Sequence, residues 1–339
     1  MVVRDMIDNY QVFALEVQEK LAAKPQWQER YASYASTLLA DTNRDKVKKA
    51  TKAFRIPEPL FPYITIGKVM GSGKAVNFDL RYLGQSVGTI KVEDRKVTLH
   101  VSEKKSQTSC RDFGYDVGTI SGEDWSTGKK AFQFREFYRG LLECTDKFPS
   151  QHEHMVESAL FSELEKTKGA QKQLKQIKPI FYEDVRIHMK TALMASKASH
   201  DICEVSDSSG GDIDVFCRRR IGNRSRLTVI EVKDQNESRE TFHLAIKQAI
   251  AYAVFIRELA RSEAGESWMK LWGLGNQPWK EEGFIINAVA AMPKENTTDF
   301  SFAGKMLELG KDKIELHYIA FSGVGKPRDG QDVHFETSL

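Results

Sequence analysis

The opening stretch of the chain alternates with a helical period. Val12, Phe13, Leu15, Val17 and Leu21 recur at partly helical spacing, and Tyr31, Tyr34, Leu38 and Leu39 repeat it at intervals of three and four. Residues 8–55 therefore read as helices. Three prolines between Ile56 and Pro62 end that run and start a connector. From Tyr63 to Ser106 the period falls to two: Val97, Leu99 and Val101 alternate with Lys96, Thr98, His100 and Ser102. Glycines punctuate these short strands, which predicts a small antiparallel sheet. Phe132 to Cys144 reads as a helix. Phe148-Pro149-Ser150 turns the chain, and Ser150 followed by Glu153 is a capping-box signature for a helix over 151–168. Strands are then expected at 180–187, 211–219 and 226–233, a long helix at 238–262, and strands at 283–291 and 313–321. The expected class is α/β: a mixed β-sheet flanked by helices over 149–339, behind an N-terminal α+β domain over 1–148.

Composition narrows the setting. With 41% hydrophobic and 29% charged residues the chain is globular rather than disordered. It has no apolar run of membrane length, and Arg4, Asp5 and Asp8 interrupt any signal-peptide core, so the expectation is a cytoplasmic protein with no membrane partner. Cys110, Cys144, Cys203 and Cys217 match no zinc or disulfide spacing, and the close pair His152 and His154 has no cysteine nearby. Net charge is +3. Residues 1–150 hold about 24 basic against about 19 acidic side chains, leaving the remainder slightly acidic. That split fits a polyanion-binding part beside a carboxylate site, and it also fits chance. Gly71-Ser72-Gly73-Lys74 lacks the glycine spacing and the following Ser or Thr of a phosphate loop. Lys46, Lys48, Lys49, Lys52 and Arg55 give one helix a basic face, which is either solvated or in contact with phosphates.

The stretch 211–233 carries the chemistry. Gly222-Asn223 is a two-residue hairpin signal between Asp212-Ile213-Asp214-Val215-Phe216 and Leu227-Thr228-Val229-Ile230-Glu231-Val232-Lys233. A loop at those two residues makes paired numbers sum to about 445, which sets Asp214 opposite Glu231 and Asp212 opposite Lys233, all on one face. Opposed carboxylates repel. A divalent cation with oxygen ligands, a raised carboxylate pKa, or the adjacent lysine would each offset that. A surface ion-pair cluster is the plain alternative, but the apolar run into Glu231 places the charges at the end of a buried strand. Gln248 falls in a helix that is apolar nearly all round, so it either reaches the active end of the sheet or satisfies a backbone group. Tyr252 reads as packing. Arg218, Arg219, Arg220, Arg224 and Arg226 crowd the far end of the hairpin, as a soluble tip or a grip on a nucleic-acid backbone.

An Asp on one strand followed by hydrophobic-hydrophobic-Glu-x-Lys on the next resembles the PD-(D/E)XK nuclease superfamily. Asp214, Glu231 and Lys233 match its motif, with Ile213 where a proline is usual, and the resemblance covers about residues 150–260. It implies a restriction-endonuclease-like fold and a Mg²⁺ cofactor, or Mn²⁺, held by Asp214, Glu231 and the Val232 carbonyl. It assigns Lys233 to the attacking water and Glu157 to a supporting position, with Glu163 as second choice, and it gives Gln248 a catalytic place. The implied activity is hydrolysis of DNA phosphodiester bonds in restriction or another form of defence, in which a homodimer is plausible. A non-catalytic nucleic-acid-binding or assembly protein that keeps the fold is the competing reading.

Overall fold

The computed structural model describes residues 3–53, 60–66, 76–93, 96–141, 152–166, 172–195, 203–208, 210–233, 242–296, 300–324 and 333–339. Helices α1 (Val3–Ala23), α2 (Gln26–Leu39) and α3 (Asp41–Ala53) come first. Strands β1 (Leu60–Ile66), β2 (Val76–Tyr82), β3 (Gln85–Val92) and β4 (Val97–Val101) follow, then α4 (Glu103–Lys105), β5 (Ile120–Asp124), α5 (Lys129–Leu141) and α6 (His152–Glu165). The second half runs β6 (Ile177–Pro179), β7 (Phe181–Tyr182), β8 (Val185–Met189), β9 (Leu193–Met194), β10 (Glu204–Val205), β11 (Val215–Ile221), β12 (Arg224–Val232), α7 (Phe242–Arg261), α8 (Gly265–Leu271), α9 (Trp279–Glu282), β13 (Ile285–Pro293), β14 (Met306–Leu309), β15 (Asp312–Ser322) and β16 (His334–Thr337). The class is mixed α/β, as the alternating periods predict.

Two mixed sheets organise these elements. The first has the order β5-β4-β3-β2-β1-β8-β7, and the second β14-β15-β13-β12-β11-β6 with β16 also on β15. In the first sheet, β1 to β4 form the expected small antiparallel sheet, and β5, which periodicity did not predict, extends it antiparallel to β4. Pro62, read as part of a connector, lies inside β1 opposite Leu80. The β8 pairing begins only at Tyr63, so the missing proline N–H falls where one side of the strand is still open.

A division at residue 148 is not a division between sheets. That position lies outside the described residues, but β8, from beyond it, pairs in parallel with β1, Tyr63 against Arg186 and Thr65 against His188. Helices α1 and α2 also reach the second sheet's side of the molecule, although the Leu38 carbonyl of α2 accepts from the Tyr182 hydroxyl of β7 in the first sheet. The Trp27 and Tyr31 rings pack on Phe255 of α7, and Gln18 donates to Glu258. The described residues before 148 therefore pack on both sheets, because apolar faces far apart in sequence found their partners across the boundary.

Helix α6 lies between the sheets. Its Val156, Leu160, Phe161 and Leu164 pack on Val215, Ile230, Val232 and Val289 of the second sheet, and Phe161 also meets Tyr63 of the first. Behind the second sheet, α7 covers Leu227 and Val229. Its interior is apolar on nearly every side, as expected for a helix buried all round. The apolar face of the first sheet (Ile64, Phe78, Leu80, Ile90, Leu99) packs with Val47 and Ala50 of α3 and with Phe134 and Tyr138 of α5. Helix α3 thus sits across the sheet from α6. Lys46 is buried, Lys48 and Lys52 are exposed, and Arg55 lies outside the described residues. Among the described residues no helix is long and apolar enough to cross a membrane.

Candidate metal centre

The β11–β12 hairpin has the register that its loop dictates. Ile221 pairs with Arg224 and Val215 with Ile230, so paired numbers sum to 445 throughout. Gly222 takes a φ of +58° at the first loop position, a conformation that costs a side-chain-bearing residue energy and glycine little. Asp214 precedes the paired stretch by one residue, and its Oδ2 accepts the Val232 amide N–H at 2.7 Å. Glu231 and Lys233 project with Leu227 and Val229 toward α7, and the Lys233 Nζ donates to Glu231 Oε1 at 2.9 Å. Both side chains are buried. Val232, expected to offer its carbonyl, meets Asp214 through its amide.

The third acidic group is not the expected one. Carboxylate oxygens of Glu153, Asp214 and Glu231 all lie within 4.8 Å of one another. Glu153 reads from the sequence as the second half of a capping box, whose Ser150 lies outside the described residues. It stands instead on the first turn of α6 and completes the cluster. Glu157, one turn on, is near enough for its charge to act on Asp214, and its other neighbours are His154, with Nδ1 3.3 Å from Oε1, and Arg81, with Nη1 3.9 Å from Oε2. Glu163 is a structural cap, accepting the backbone N–H groups of Gln173 and Leu174 and pairing with Lys166 at 2.6 Å. Asp212 pairs with Lys190 at 2.5 Å rather than with Lys233.

Three carboxylates that converge this closely could hold a metal ion through their oxygens. Burial, then the Glu231 and Glu157 carboxylates, holds the Asp214 carboxyl well above the usual carboxylate range, against the pull of Lys233 and the Val232 amide. The sign follows from linkage. The native state keeps a proton that the unfolded chain has released, so metal-free stability falls as pH rises from the ordinary carboxylate range through the raised value. Asp214→Asn removes that penalty. In the presence of EDTA the variant should melt above the wild type at about pH 8, and the gap should close toward about pH 4. A gap that does not change between those limits would mean Asp214 titrates normally in the folded state.

Gln248 lies at the α7 side of the same region. Its Nε2 is 3.4 Å from the Tyr252 hydroxyl, and both side chains are buried. Burial, then the charge of Glu231, raises the Tyr252 pKa well above that of a free phenol, so the hydroxyl stays protonated. Tyr252, read from the sequence as packing, therefore presents a donor next to the carboxylates. What seats it is Gly211, where an added Cβ would lie 2.2 Å from the Tyr252 hydroxyl oxygen and 3.3 Å from its ring carbon. Gly211→Ala should displace either the phenol or the segment leading to Asp214, weakening Mn²⁺ binding about tenfold. Tyr252→Phe deletes the clashing oxygen and should restore most of that affinity in the double variant. Calorimetry on the two proteins decides it, and a double variant as weak as Gly211→Ala alone would rule out this clash as the cause.

The arginine-rich hairpin tip is partly paired within the fold. Arg224 meets Glu282 at 2.7 Å, Arg226 pairs with Glu315, and the Arg220 Nε donates to the Gly222 carbonyl at 3.1 Å. Cys110, Cys203 and Cys217 are buried thiols outside the cluster. No protein-family model matches the chain, and neither curated proteins nor solved structures provide a match.

Proposed function

We propose that the chain is a metal-dependent endonuclease of the PD-(D/E)XK type that hydrolyses DNA phosphodiester bonds with Mg²⁺, or Mn²⁺ in its place. The observation that carries this reading is the convergence of Glu153, Asp214 and Glu231, with Lys233 on the same strand end as Glu231. Its support is chemical. Asp214, Glu231 and Glu153 would hold the ion through hard oxygens. A bound divalent cation supplies Lewis-acid polarisation of a phosphoryl oxygen and acidifies water. The Lys233 ammonium, buried against Glu231, is placed to orient a water and to offset the negative charge that grows on the phosphorus group. The Tyr252 hydroxyl and Gln248 amide add neutral donors on the α7 side.

The DNA-facing surface is part of the same proposal. Asn77, Thr89, Lys91, Thr98 and His100 are half-exposed, and cross-strand pairing puts them on the face of the first sheet that also carries Asp79. That face looks toward α6, whereas the basic α3 lies behind the sheet. A duplex seated at the cluster would have to wrap round the sheet edge to reach Lys48 and Lys52. The polar strands are thus the better candidates for backbone or base contacts.

The test is direct. Supercoiled plasmid, a linear duplex and single-stranded DNA and RNA are incubated with the full chain plus Mg²⁺, Mn²⁺ or EDTA. Cleavage of DNA with either ion and none in EDTA is the expected result. Cleavage of no substrate, with DNA still bound, would favour a binding or assembly protein. Cleavage undiminished in EDTA would remove the metal from the reading.

A further inference from the structure

The Arg81 guanidinium starts in the first sheet and ends beside Glu157 of α6. Its Nε donates to Asp79 Oδ2 at 3.0 Å, and its Nη2 meets the His188 Nδ1 at 3.1 Å. The Tyr63 ring lies under it, with the centroid 4.8 Å from Cζ. Arg81, Asp79, His188 and Glu157 are all buried. Partners within its own sheet thus fix the guanidinium, and its Nη1 then reaches 3.9 Å from Glu157 Oε2 on α6.

A second contact acts on the same helical turn. The β2–β3 turn holds Leu83 at φ +46° and Gly84 at φ +80°. A Cβ on Gly84 would lie 2.7 Å from the His154 carbonyl oxygen and 3.2 Å from its Cα. The turn backbone therefore rests directly on α6 at His154, where no side chain fits between. His154 lies within the first turn of the helix and Glu157 just beyond it, and Glu153 is carried by that same turn.

We propose that Arg81 is a positioning residue for the metal centre: acting through Glu157, it holds the first turn of α6 where Glu153 meets Asp214 and Glu231. The inference rests on the reading that this cluster binds a divalent cation. It goes further in making the first sheet a structural part of the metal centre instead of a separable recognition module. The physical reason is reach. Small hard cations demand ligand oxygens at nearly fixed distances. Glu231 is fixed by the hairpin ladder and Asp214, one residue before that ladder, by its bond from the Val232 amide, whereas Glu153 depends on how α6 is seated. Groups that orient metal ligands typically contribute a factor of about 10–100 in metal affinity.

Mn²⁺ is titrated calorimetrically into the DNA-free full chain, with the EPR spectrum of the bound ion as a second readout. Arg81→Met and Glu157→Gln should each weaken binding about tenfold and change the spectrum. The double variant should be no weaker than either single one, because both cut the same link. Arg81→Met with wild-type affinity would overturn the proposal. So would an equal further loss when Arg81→Met is added to Glu157→Gln, which would assign the effect to Asp79 and His188. Tighter binding in Arg81→Met would overturn it too, making Glu157 a ligand that the arginine holds away. Should Arg81→Met fail to fold, Arg81→Lys replaces it: affinity nearer the wild type than that of Glu157→Gln supports the link, and the reverse order rejects it. A wild type that binds no Mn²⁺ would instead sink the metal reading itself, before any variant is compared.

Discussion

Glu231→Gln should lower metal-dependent cleavage about a thousandfold while leaving the protein folded. The substitution keeps the shape of the side chain and removes one negative charge. Three things go with that charge. The cation loses a hard anionic ligand. Lys233, 2.9 Å away, loses the partner that fixes its ammonium. The field that favours a divalent ion over water drops by one of its three carboxylates. Metal-based stabilisation of a phosphoryl transition state is worth several kcal/mol, and about 4 kcal/mol corresponds to roughly a thousandfold in rate. Single-turnover cleavage of a labelled duplex at saturating Mn²⁺ measures the loss. The fold should not suffer, because opposed like charges on neighbouring strands destabilise a sheet. In EDTA the melting temperature of the variant should equal or exceed that of the wild type. A variant that cuts within about tenfold of the wild type, with an unchanged fold, would place the reacting phosphate elsewhere.

Glu231 and Asp214 were legible before any coordinates, and the reason is local. A two-residue loop fixes the register of a hairpin, register fixes which side chains oppose, and the observed sum of 445 holds along the whole ladder. Glu153 was not legible for the opposite reason. Glu153 and Glu157 stand four residues apart on one helix, and sequence periodicity gives both nearly the same face. Which of them reaches Asp214 depends on how far α6 slides along its axis. That depth is set by Gly84 against His154 and by Arg81 beside Glu157, contacts about seventy residues distant in the chain. The same non-locality hid the pairing of β8 with β1 and the packing of α1 and α2 on α7. Tyr252, read as packing, is indeed buried in the core, but burial says nothing of where its hydroxyl points. Only the missing Cβ of Gly211 reveals that its hydroxyl end was given room beside the carboxylates.

Asp312→Ala should be the most damaging substitution away from the metal centre, costing about 3–5 kcal/mol of stability. Asp312 is buried at the start of β15, where it accepts from Arg257 Nε and Arg261 Nε at 2.9 Å each and from the Phe284 amide at 3.1 Å. Arg257 also donates to the Leu309 carbonyl at 3.1 Å. One carboxylate thus ties the end of α7 to the β14–β15 turn and to the residue just before β13. Removing it takes acceptor oxygens from two partly buried guanidiniums and a backbone N–H, leaving Arg257 with Glu258 and the Leu309 carbonyl and Arg261 with the Lys280 carbonyl. At a few degrees per kcal/mol the melting temperature should fall by roughly 10 °C. The pH dependence separates the ion pair from mere packing. Burial pushes the Asp312 carboxyl up, but the Arg261 hydrogen bond and charge, with the Phe284 amide and Arg257, pull it below the usual range. A depressed folded value means stability that is present above the unfolded pKa and lost as pH falls through the folded one. The gap between wild type and Asp312→Ala should therefore be widest near neutral pH and shrink on acidification. A gap that stays constant down to about pH 2 would show that Asp312 serves by filling space and not by its charge.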